Sequence, residues 1–184
     1  EGTVRMLPDE LTDRLALGLQ AVSPALSLAF AVGGDAPELL EIVPSWVRVT
    51  RTTYEAAEAC LGESPYRELL ALAGAARARR VANGAVEIDL PEVKVRVRDD
   101  GQVAITPLPP LRSRELVREA MLTAGEAIGR LAAARGLPLV FTHQEPPQEV
   151  ESPAGGLAGM FAQRRAMQRS QPRVAPGRHA GLGL

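Results

Sequence analysis

Leu116, Ala120, Ala124, Ile128 and Leu131 recur at three- and four-residue spacing, with Met121 beside them, which is the pattern of one helical face. Gly136 and Pro138 stop it, so a long helix over 113–135 is expected, followed by a short apolar strand at 139–142. Period-two alternation is clearest at Val93, Val95 and Val97, interleaved with Lys94, Arg96 and Arg98. Asp99-Asp100-Gly101-Gln102 then turns the chain into Val103-Ala104-Ile105, and Asp-Gly between alternating runs is a strong hairpin signal.

Weaker patterns fill in the rest. Leu7, Leu11 and Leu15 stripe a short helix opened by Pro8, Asp9 and Glu10 and ended by Gly18. Residues 25–32 read as a buried strand closed by Gly33-Gly34-Asp35. Residues 39–50 read as a strand containing Pro44, which cannot donate to a ladder, so an edge position or a bulge at that residue is expected. Tyr54, Ala57 and Leu61 share a helical face. A second helix over 65–82 turns Tyr66, Leu69, Leu70, Ala73 and Val81 inward, keeps Arg77, Arg79 and Arg80 near its end, and stops at Asn83-Gly84. Residues 144–156 read as a loop, and a last helix over 157–168 turns Leu157, Met160 and Phe161 inward. The order of elements implies an α+β fold, a mixed or antiparallel sheet packed with helices, rather than βαβ repeats.

Length and composition narrow the class. A chain of 184 residues, 46% hydrophobic and 23% charged, suits one soluble globular domain. Formal net charge is −1, so the overall balance implies no polyanion partner. The distribution is less even: beyond Glu151 there is no acid, while Arg164, Arg165, Arg169, Arg173 and Arg178 all fall there. A single cysteine, Cys60, excludes an internal disulfide and fits a reducing compartment. No apolar run is long enough for a bilayer and no signal-peptide pattern opens the chain, so no membrane association and a cytoplasmic location are expected. Both ends look cut from something longer.

Candidate chemistry is sparse. There is no phosphate-cradling GxxxxGK[ST], no GxGxxG after a strand and no CxxC pair. His143 and His179 are the only histidines, and a structural or hydrogen-bonding role is the simpler reading of each. Asp99-Asp100 is explained by turn chemistry. Arg112, Arg114 and Arg118 crowd the start of the long helix, where positive charge opposes the helix dipole. Either a phosphate offsets them, or an ion pair with Glu115, Glu119 or a neighbour does. The arginine-rich tail is likewise a solvated face or part of an RNA channel.

Taken in order, the motifs resemble one family. Arg5-Met6-Leu7-Pro8-Asp9-Glu10-Leu11-Thr12 is similar to its P-M-L-P-x-x-L-S segment, Thr53-Tyr54-Glu55-Ala56-Ala57 to a helix start, and Asn83-Gly84-Ala85 to the approach to its hairpin. Arg114-Glu115-Leu116-Val117-Arg118-Glu119-Ala120-Met121 resembles its long helix, His143-Gln144-Glu145-Pro146-Pro147 the exit, and residues 176–184 the approach to its S-P-I-R-R-Y stretch. The family is the RNB catalytic domain of the ribonuclease II and ribonuclease R exoribonucleases. Arg5, Arg118 and Gly125 depart from its usual proline, acid and asparagine.

The resemblance implies that residues 1–184 are the central part of one RNB-like domain truncated at both ends, with 1–150 forming core sheet and helices and 151–184 an arginine-rich helix and tail. It implies 3′→5′ hydrolysis of RNA to 5′-mononucleotides by the intact protein. Mg²⁺ would be held by aspartates before Glu1, and a catalytic arginine would follow Leu184. Within 1–184 it implies no catalytic and no metal-binding residue, so the segment alone is expected to be inactive. Tyr54, Arg112, Arg114, His143 and His179 would contact single-stranded RNA, and a monomer is expected. The alternative is a non-catalytic RNA-binding or scaffold module derived from the same fold.

Overall fold

The computed structural model describes residues 7–32, 34–88, 90–148 and 156–184. Residues 1–6, which include Arg5 and Met6 of the first motif, with Gly33, Asp89 and 149–155 of the expected loop, lie outside the described residues. The chain runs α1 (Asp9–Leu15), β1 (Ser23–Ala31), β2 (Glu38–Val47), α2 (Tyr54–Ala59), α3 (Tyr66–Ala82), β3 (Val93–Val97), β4 (Val103–Pro107), α4 (Arg112–Arg135), β5 (Phe141–His143), α5 (Gly156–Ala166) and β6 (Gln171–Arg173), ending on a 3₁₀ turn at Ala180–Leu182. The α+β class holds. The strands form three separate antiparallel ribbons, β1–β2, β3–β4 and β5–β6, rather than one sheet.

Local rules account for most boundaries. Gly136 ends α4 in the left-handed region at φ 62°, and Leu137 N–H donates back to Ala132 O. The β3–β4 turn is closed by Asp100, whose carboxylate accepts from Gln102 N–H at 2.9 Å, with Gly101 at φ 79°. Pro44 is tolerated because, among the described residues, β2 pairs with β1 alone, so Pro44 lies on an edge strand and faces Leu26 in regular register. The irregularity falls elsewhere, between Ala29 and Phe30, where Leu40 is the extra residue.

The buried face of α4 differs from the expected stripe. Ser113, Glu119, Thr123, Ala127 and Ala132 are buried, whereas Ala120 is exposed and Met121 is 70% exposed. Much of that face is one residue, about 100°, away from the apolar one. The cause is electrostatic. α3 lies against α4 with Arg80, not Val81, turned inward, and Arg80 pairs with Glu119 while Arg79 pairs with Glu126. The inward turns expected of Leu69 in α3 and of Leu157 and Phe161 in α5 are also not seen, since all are exposed.

Among the described residues the buried apolar set is small: Ala57, Leu61, Ala73, Ala127, Ala132 and Ala180. Accessible surface totals 13680 Å², against about 8,600 Å² for a closed monomer of this mass. No helix among the described residues is long and apolar enough to cross a membrane.

Candidate nucleic-acid interface

The start of α4 is built by α2. Leu111, at the helix N-cap, offers no capping side chain, so the orphan N–H groups need another acceptor. Glu58 of α2 supplies it, accepting from Ser113 N–H at 2.8 Å, and the backbone N–H of Arg112 also reaches it. Ser113, itself buried, donates its hydroxyl to Tyr54 O at 2.8 Å. Thr53 caps α2 by accepting from Ala56 N–H at 3.1 Å. These bonds place the first residues of two helices side by side.

On that junction Arg114 lies over Tyr54, with its guanidinium carbon 4.8 Å from the ring centroid. Arg114 also reaches Glu92 at 3.6 Å, while its Nε is buried without a partner. The Tyr54 side remains 41% exposed. Arg118 pairs with Glu115 and Glu119, each at 3.5 Å, so for this residue ion pairing is the answer. Arg112 makes no ion pair among the described residues. The Ser113 N–H bond, helped by the N–H and charge of Arg112, holds the Glu58 carboxyl below the usual range against a smaller opposing effect of desolvation. The charge conflict at the helix start is therefore resolved mainly by Glu58, Glu92, Glu115 and Glu119. None of these partners except Glu115 and Glu119 was expected from the sequence, because Glu58 and Glu92 are distant along the chain.

His143 and His179 belong to a different place. His143 on β5 bonds Ala175 O through Nε2 at 2.7 Å, and His179 Nε2 lies 3.3 Å from Ser170 Oγ. Burial pushes the His179 imidazole below its ordinary range, and its Nδ1 is buried without a partner. Between them Gln144, part of the 143–147 motif but not one of the expected contacts, donates to Gln168 O at 2.6 Å and accepts from Gly181 N–H at 3.0 Å. The five expected contact residues thus divide into a trio, Tyr54, Arg112 and Arg114, and a pair, His143 and His179.

Among the described residues no cluster of side chains is placed to hold Mg²⁺. No three His, Cys, Asp or Glu side chains converge among the described residues. The buried carboxylates are committed: Glu119 to Arg80, Glu126 to Arg79 and Arg130. The residues present do not fit a catalytic metal.

The RNB domain family pattern matches residues 1–153. A protein of Synechocystis sp. described as an uncharacterized ribonuclease is 37% identical over 198 residues, covering 100% of this chain and 29% of its own length. The chain therefore spans under a third of that relative. Among solved structures, ribonuclease R of Mycoplasma genitalium in complex with ribose methylated single-stranded RNA superposes with a TM-score of 0.77 at 13% identity, over 97% of this chain and 36% of that one. An active-site mutant of the Dss1 exoribonuclease from Candida glabrata gives 0.80 at 16% identity, over 97% and 27%.

Proposed function

Because the chain belongs to the RNB domain family, a ribonuclease family, we propose that the intact protein is a metal-dependent 3′→5′ exoribonuclease acting on single-stranded RNA. In this reading 1–184 forms part of the RNA channel. The observation that carries it is Tyr54 beneath the Arg114 guanidinium, at the start of the helix that also carries Arg112. An exposed aromatic face beside guanidinium groups suits an unpaired base and its phosphate, whatever the base. Mg²⁺ and the groups that cleave the phosphodiester would lie outside these residues, so the segment alone does not hydrolyse RNA. The structural neighbours include ribonuclease R bound to single-stranded and to double-stranded RNA, which supports RNA as the partner.

Magnesium-dependent digestion of a single-stranded RNA by the intact protein, followed with 5′- and 3′-labelled substrates, tests the direction. Release of mononucleotides first from the 3′ end is expected, and internal cuts would overturn the reading. Tyr54→Ala is expected to change the length of the last undegraded oligonucleotide with little loss of rate; an unchanged end product removes Tyr54 from the channel. The commitment of the buried carboxylates to arginine favours one second reading, a non-catalytic RNA-binding module. That reading predicts salt-sensitive binding without digestion.

A further inference from the structure

Between β5, β6 and the chain leaving α5 lies a cleft of about 370 Å³ lined by His143, Glu145, Gln168, Arg169, Gln171 and Arg173. Its two guanidinium groups are not neutralised. Arg169 makes no ion pair among the described residues, and Arg173 bonds only the neutral amide oxygen of Gln171. Glu145, the one carboxylate on the wall, pairs with neither. The surrounding sequence strengthens the imbalance, since residues 156–184 contain five arginines and no acid.

The backbone that carries these arginines is fixed from β5. His143 holds Ala175 O at 2.7 Å and Gln144 holds Gln168 O at 2.6 Å, bracketing Arg169 and Arg173 on either side. Glycine lets the chain pack this closely: a Cβ at Gly177 would stand 2.2 Å from the His143 ring. A cleft held in place before its ligand arrives loses little ordering entropy when an anion enters. Planar guanidinium groups match a phosphate's oxygens in pairs.

We propose that this cleft is a phosphate-binding subsite that takes one backbone phosphate of RNA, at a distance from the Tyr54 platform. The proposal rests on the reading that the intact protein binds RNA. Phe141, which leads into the cleft, approaches Gly129, and the fifteen helical steps of α4 from Arg114 to Gly129 span about 22 Å. The two contacts therefore grip different nucleotides.

The test is a titration of the intact protein with single-stranded RNAs of several sequences over a range of salt. R169Q/R173Q is expected to weaken binding by a similar factor for every sequence and to lower the slope of log affinity against log salt by about 0.7, the share of one phosphate. R169K/R173K, which keeps the charge, should retain most of the slope if the variants fold alike by thermal melting. E145Q is expected to tighten binding. If wild type binds RNA and R169Q/R173Q leaves the slope unchanged, the subsite is overturned while the proposed function stands. If inorganic phosphate raises the melting temperature of wild type but not of R169Q/R173Q, and the RNA slope is unchanged, the cleft takes free phosphate and its assignment to RNA is overturned. Absence of RNA binding by wild type overturns the proposed function and this assignment with it.

Discussion

Single residues at the α2–α4 junction show how far side-chain chemistry can be read along a chain. Tyr54 and the arginines after Leu111 stand out in the sequence, as an aromatic at a helix start and as cations where a dipole disfavours them. Their partners do not, because Glu58 precedes Ser113 by 55 positions and only the fold brings them to 2.8 Å. The Glu58 pairing makes a pH-dependent prediction. Its folded-state pKa lies below the ordinary carboxylate value, so its contribution is present above that ordinary value and is lost as pH falls through the lower folded one. Glu58→Gln is expected to lower the melting temperature at neutral pH, with the difference from wild type shrinking below pH 4.5. A difference that stays constant down to strongly acidic pH would show that the carboxylate is not the helix cap. At the neighbouring pair, a double-mutant cycle of Tyr54→Leu and Arg114→Met read by denaturant unfolding is expected to give a coupling of about 0.5–1 kcal/mol. Additive effects would mean that the 4.8 Å stacking contributes nothing to stability.

Elements, unlike partners, were largely legible. The hairpin, the helix over 66–82 and the long helix all appear within a residue or two of their expected limits, since turn glycines and apolar periods are local signals. The missed pieces, β6 and the terminal 3₁₀ turn, are three residues each and are held by long-range bonds such as Val86 N–H to Gly181 O. Which face of α4 is buried was also misread. Apolar periodicity assumes an apolar contact, but α3 meets α4 through Arg80, 6% exposed, and Glu119, 1% exposed. Arg80 further donates to Leu182 O at 2.9 Å, so this one residue ties two helices to the C-terminal turn. Glu119→Ala leaves a buried guanidinium without its counter-charge and is expected to cost about 3–5 kcal/mol in denaturant unfolding. The paired change Arg80→Met with Glu119→Leu should recover most of that loss, because the desolvation of both ions is removed together. A double variant as unstable as Glu119→Ala would argue that the bond to Leu182, not the ion pair, holds the two helices.

At the scale of the whole molecule the decisive quantity is surface. Cross-strand partners Val93 with Pro107, Val95 with Ile105 and Val97 with Val103 place one apolar face on the β3–β4 ribbon, and the valines and Ile105 are all exposed. With 13680 Å² accessible, against about 8,600 Å² for a closed monomer, hydrophobic burial within 1–184 is too small to support a tightly closed core. The alternation at 93–97 was legible from sequence, but sequence could not say that its face stays exposed among the described residues. The chain is 29% of its relative's length, and a face of this kind in a larger protein is expected to be covered by further chain. The variant Val95→Thr with Ile105→Thr separates the two situations by sign. In the segment expressed alone it should reduce dye binding to exposed apolar surface and reduce self-association, with no loss of stability. In the intact protein it should destabilise by about 1–3 kcal/mol for each hydroxyl buried without a partner. Equal stability of wild type and variant in the intact protein would show that the ribbon stays open there too, and would leave its apolar face free for a separate partner.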